Sequence, residues 1–120
     1  HKDTVHTTEL DTSYMAGIEA MKALDYKRAV TILRPYDDYN AALAFMSADY
    51  NHSALDVLGR LDAKDPKVCY LMAMVLVRLE QYAEARKYFE LCLAYDPYMR
   101  HRANLDPEMY VLVNDDGNNH

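Results

Sequence analysis

Five histidines, two cysteines and several paired acids are the residues of this chain whose types could do chemistry. The histidines are His1, His6, His52, His101 and His120, four of them near the ends. A nucleophile needs a base within hydrogen-bond reach. Ser53 follows His52 directly, and neighbours in a helix point in different directions. Asp37-Asp38 could pair as acids, but two aspartates ahead of an apolar run read first as helix caps. Asp62, Asp65 and Asp96 sit where helices end. Cys69 and Cys92 are not spaced as CxxC, and two thiols alone cannot close a four-ligand zinc site. They read as buried thiols, with a disulfide as the alternative. Asp115-Asp116-Gly117-Asn118 has part of a calcium loop but lacks its spacing and closing glutamate. There is no HExxH, no glycine-rich phosphate loop and no nucleophile elbow. The chemistry therefore predicts no catalytic residues, no metal, no cofactor and no enzyme.

The elements that would position these residues are helical. The chain is 120 residues long and 51% apolar, enough for one compact domain. Three glycines and four prolines argue against a turn-rich β fold. A formal charge of −6 disfavours nucleic acid, which needs a basic patch to displace counterions. The longest apolar run, Val68–Val77, is half of what a membrane span needs, about 20 residues. The first residue is His1 rather than Met, as expected of a processed chain or a fragment. Apolar periodicity and breakers predict helices over Thr12–Leu24, Tyr26–Leu33, Tyr39–Ala48, His52–Leu61, Lys67–Leu79 and Tyr82–Ala94. Thr12 or Ser13 would cap the first. A last helix, Pro107–Val113, would start at Asp106-Pro107-Glu108. The ends, 1–11 and 114–120, read as loose. The fold class is all-α.

The helices repeat. A slide of 31 places Pro35 on Pro66, Tyr39 on Tyr70, Ala42 on Ala73, Ala54 on Ala85 and Pro66 on Pro97. A slide of 25 places Gly17 on Ala42 and Ala29 on Ala54. Each copy is a pair of helices, A then B, with a small residue in the middle of A and another early in B. Antiparallel helices approach closely only where side chains are small. Gly17 with Ala29, Ala42 with Ala54, and Ala73 with Ala85 are therefore the expected points of approach.

The third copy resembles the tetratricopeptide repeat. Met72-Ala73 stands for the family's Leu-Gly, Tyr82 for its Tyr, Ala85 for its Ala, Phe89 for its aromatic, Cys92-Leu93 for Ala-Leu, and Pro97 for its closing Pro. Cys69 replaces the usual Trp, as Asp38 does in the second copy. The steps of 31 and 25 are shorter than the family's 34. The resemblance implies an α-solenoid of about three hairpins, 12–36, 37–66 and 67–98, with a cap at 106–113. It also implies an adaptor or scaffold that binds a protein or peptide on a concave face lined by A helices. The groove positions would be Tyr36, Tyr39, Leu43, Met46, Lys67, Tyr70, Met74, Val77 and Arg78. Family members that clamp a C-terminal carboxylate use Lys and Asn there. Tyr70 and Met74 stand here instead, so no such capture is expected.

The alternative is a structural segment that packs on an adjoining domain of its parent chain or self-associates, without a peptide ligand. Tyr70 and Met74 standing open would favour the first reading. A groove filled by the tail around Leu105–Val113 would favour the second. No nucleic acid and no direct membrane insertion are expected; a homo-oligomer is allowed. The tail, His101–Val113, is similar to the C-terminal ends of some cell-envelope proteins of Bacteroidetes, including OmpA-type fimbrial proteins. That likeness implies a place in a bacterial cell envelope.

Overall fold

Three short turns, alike in geometry and in repeat register, organise the chain. In the computed structural model, backbone is described for residues 2–118 and side chains for 12–114. Apart from Asn114, the side chains of the two ends expected to be loose, 1–11 and 114–120, lie outside the described residues. Helices are α1 (Lys2–Lys22), α2 (Tyr26–Leu33), α3 (Tyr39–Ser47), α4 (Asn51–Gly59), α5 (Pro66–Arg78), α6 (Tyr82–Tyr95), α7 (Met99–Asn104) and α8 (Tyr110–Asn118). Short 3-10 turns cover Arg34–Tyr36 and Pro107–Met109. Among the described residues there is no strand. The fold is an all-α helical repeat.

Each A helix ends on a residue in the left-handed region: Leu24 at φ 63°, Asp49 at 67° and Glu80 at 61°. The next amide reaches back to close the helix end. Asp25 N donates to Ala20 O at 2.9 Å, Tyr50 N to Phe45 O at 2.7 Å, and Gln81 N to Leu76 O at 2.8 Å. This is the Schellman closure, which satisfies carbonyls a helix end leaves bare. It commonly uses glycine, and none of the three positions has one. Leu24, Asp49 and Glu80 are spaced by the same 25 and 31 as the small residues. The B helices start in the same register, with Ala29 N, Ala54 N and Ala85 N each bonding the carbonyl four residues back. The first step is shorter mainly because α3, which closes it, has 9 residues where α5, which closes the second, has 13; α2 and α4 differ by one, 8 against 9.

The chain divides into two compact units, His1–Val57 and Leu58–His120. In the first, α2 and α3 start on aspartate caps: Asp25 accepts from Arg28 N at 3.3 Å and Asp38 from Ala41 N at 2.9 Å. Of the two aspartates read as caps for α3, Asp38 does the capping, while Asp37 takes φ 54° at the end of the 3-10 turn. Thr12 and Ser13 lie inside α1 and do not begin it. Gly17 is buried, and a Cβ there would meet Leu33 Cδ2 at 2.5 Å and Cγ at 2.6 Å. The close approach expected at Gly17 is real, but the nearest side chain is Leu33 rather than Ala29.

In the second unit, Asp65 caps α5 by accepting from Lys67 N at 2.9 Å, with Pro66 in the first turn. Nine consecutive α5 residues, Val68 to Leu76, are buried. A helix apolar on all sides must be covered on all sides. The cover includes α6, with Ala73 and Ala85 both at 0% exposure. It also includes the segment after Pro97, which brings Met99, Ala103, Met109 and Leu112 into the core. The sequence predicted one closing helix, Pro107–Val113. The chain has α7 as well, six residues that are too short and too polar (MRHRAN) to show a periodicity.

Candidate interaction surface

The predicted groove positions fall into two settings. In the first unit, Tyr36, Tyr39 and Leu43 are half-buried and Met46 is buried. Tyr36 stands edge-on to Tyr14, with centroids 4.9 Å apart. In the second unit Lys67 is exposed, and Val77 and Arg78 are partly covered. Tyr70 and Met74 are buried, at 0% and 8% exposure.

The chain's own tail covers Tyr70. The Tyr70 hydroxyl donates to Asp106 Oδ2 at 2.9 Å. The Arg102 guanidinium lies over the Tyr70 ring, 4.3 Å from its centroid, a cation–π distance. Arg78 grips Glu108 with two prongs, Nε to Oε1 at 2.7 Å and Nη2 to Oε2 at 2.9 Å. Planar fork geometry of this kind sets orientation as well as charge. The second Asp106 oxygen accepts from Glu108 N at 3.0 Å, which shapes the turn that presents Glu108. Burial drives the Tyr70 phenol well above its usual range, and the bond to Asp106 pushes the same way. It stays a donor throughout the physiological range.

The same bond occurs in the first unit. The Tyr14 hydroxyl donates to Asp38 Oδ2 at 2.6 Å, and Asn40 Nδ2 donates to the Tyr14 oxygen at 2.5 Å. Burial, then Asp38, raises the Tyr14 phenol. Tyr14 and Tyr70 occupy one repeat position, with Tyr39 between them in register. Each donates to the aspartate that caps a following element. As caps, Asp38 and Asp106 each use one oxygen, and the second oxygen takes the tyrosine. The available signal was the threefold recurrence of tyrosine at that position.

The two cysteines are free and buried. The Cys69 thiol donates to Ala63 O at 3.0 Å. Burial and then the neighbouring Cys69 push the Cys92 thiol up to about 11. Thiolates are the reactive form, so both are inert when folded. An open pocket of about 260 Å³ is lined by Ala63 and by Glu84, Lys87, Tyr88 and Leu91 of α6. Among the described residues no group of His, Cys, Asp or Glu could hold a metal ion. No described helix is long and apolar enough to cross a membrane.

The α5–α6 hairpin, with alanines at its closest approach, Phe89 in the core and Pro97 behind it, coincides with a family match. Residues 66–98 match the family model of the tetratricopeptide repeat. This segment is similar to a single tetratricopeptide repeat. Tetratricopeptide repeats are in general non-catalytic and serve protein–protein interaction. Comparisons with curated proteins and with solved structures each return no match.

Proposed function

We propose that the chain is a protein–protein interaction module, an α-solenoid of three tetratricopeptide-like hairpins (12–36, 37–66 and 67–98) that takes polypeptide on its A-helix face. One observation carries the reading. The A helix of the matched repeat, α5, already holds a polypeptide segment through Tyr70 and Arg78 at predicted groove positions. That segment is the chain's own tail. Its presence also favours the second reading, a structural segment with no peptide ligand, because Tyr70 and Met74 are covered. In the first unit, Tyr36, Tyr39 and Leu43 remain half-open and are the positions left for a ligand. A place in the cell envelope rests on the tail's likeness alone.

A peptide-display selection against the immobilised chain separates the two readings. The interaction reading expects enriched peptides whose binding weakens at least about tenfold in a Tyr36→Ala, Tyr39→Ala variant. No enrichment, with the chain folded by circular dichroism, leaves the structural reading standing.

A further inference from the structure

The tail clasp is a description of a ligand. It shows which atoms α5 offers and what chemistry answers them. Tyr70 offers a buried hydroxyl, and it is met by an aspartate. Arg78 offers a two-pronged cation, and it is met by a glutamate two residues later. Met109 and Leu112, one and four residues after that glutamate, are both at 0% exposure. The occupant therefore carries four ordered features: Asp106 and Glu108, which bond α5, and Met109 and Leu112, which are buried in the core of the second unit. Its order is acid, any residue, acid, apolar, two residues, apolar.

The elements that present these four features are short. The 3-10 turn has 3 residues, and α8, which carries Leu112, has 9. Helices this short do not hold together in water without a surface to pack on. The surface therefore selects and orders the segment rather than receiving a preformed helix. Nothing in the four features requires the acid-headed segment to be joined to α6 through Pro97. The cis link raises its effective concentration, which is a matter of tether length and not of new contacts.

We propose that the Tyr70–Met74–Arg78 face of α5 is a docking site for an acid-headed helical segment of pattern Asp-x-Glu-apolar-x-x-apolar. In this chain its own residues 106–112 close the site. A partner polypeptide carrying the same pattern takes their place. This rests on the interaction reading above and narrows it, naming the partner's chemistry and the intramolecular segment it must displace. Charge supports a carboxylate pair over other occupants. Arg78 is only partly exposed, and its two-pronged geometry toward Glu108 matches a carboxylate better than a neutral side chain.

The test uses the full chain and a labelled synthetic peptide of its own residues 105–114, followed by fluorescence anisotropy. A released chain, Asp106→Asn with Glu108→Gln, keeps the tail's shape while removing both carboxylates. The peptide is expected to bind the released chain at least about tenfold more tightly than the unaltered one. Adding Arg78→Gln to the released chain should cost most of that gain. A peptide carrying Asn and Gln in place of its two acids should not bind. A second measurement needs no variant: saturating peptide should speed hydrogen exchange at residues 99–113 of the unaltered chain.

Unchanged exchange under saturating peptide overturns the proposal, whatever the variants do. Equal binding to both chains also overturns it, since the peptide then sits elsewhere. A dimer of the unaltered chain built by mutual exchange of residues 99–114 overturns it in favour of a second copy as the occupant. Display peptides that enrich but lack the acidic pair sink this proposal and leave the broader interaction reading intact.

Discussion

In the first unit the Tyr14 phenol reaches Asp38 from a half-exposed position, and Asn40 shares the load. In the second unit the Tyr70 phenol reaches Asp106 from full burial, with Arg102 stacked on its ring. The bond and the repeat position are the same, while the surroundings differ. Water can stand in for a lost partner near the surface. In a core it cannot, and the deserted group keeps its whole desolvation penalty. The comparison teaches that repetition copies geometry but not energy. The same latch is an adjustable surface tie in one unit and a keystone of the core in the other.

Removing the ring sets the two apart most. Tyr70→Ala should cost about 3–5 kcal/mol, the range for large-to-small changes in a core. Tyr14→Ala should cost clearly less, because its ring is only half-buried. Native-state hydrogen exchange, read separately over the two units, measures both. Similar losses in the two would break the comparison.

Removing only the hydroxyl sharpens it. Asp106 is charged, and hydrogen bonds to charged groups are worth about 1.5–3 kcal/mol. Tyr70→Phe should fall in that range in urea unfolding. Each aspartate keeps its cap bond, but water can replace the half-exposed Tyr14 hydroxyl, so Tyr14→Phe should cost roughly 1 kcal/mol or less. A Tyr14→Phe loss equal to that of Tyr70→Phe would mean the burial difference has no energetic weight.

The all-α class, six of the helices and their pairing were legible from apolar period, aspartate caps and prolines. The repeat was legible because Ala42, Ala54, Ala73 and Ala85 must be small to let helices meet, and all four are at 0% exposure. The Schellman turns were not legible, because Leu24, Asp49 and Glu80 are not the glycines such turns advertise. The tail clasp was hidden for a different reason. Asp106-Pro107-Glu108 satisfies every local rule for a helix start, so nothing local asks for Tyr70 or Arg78. Long-range side-chain bonds, 36 residues apart for Tyr70 and Asp106, leave no periodic trace.

Alkaline pH should separate the units through groups present in only one of them. Both cysteines, 69 and 92, belong to the second unit. An unfolded thiol titrates near about 8.5. Cys92 stays protonated in the fold until about 11. Above the lower value the unfolded chain loses the proton and the folded chain does not, so stability falls with rising pH. Below about pH 8 this contribution is fully present. The second unit should therefore weaken from about pH 8.5 towards 11. The first, whose raised group is the Tyr14 phenol, should hold until near pH 10. Equal onset in pH-dependent hydrogen exchange would contradict the assignment.

The smallest effect is one in which the units should agree. Leu24 and Glu80 hold the same left-handed turn, each exposed and each without glycine's freedom. A side-chain-bearing residue there costs roughly 1–2 kcal/mol, and glycine recovers it at an entropic cost of about 0.5–1 kcal/mol. Leu24→Gly and Glu80→Gly should each stabilise their own unit by roughly 0.5–1 kcal/mol. The gain should be the same in both, because turn strain is local and neither side chain is in the core. Unequal gains would show that the turn itself feels the different cores. In that case the two latches could no longer be compared on burial alone.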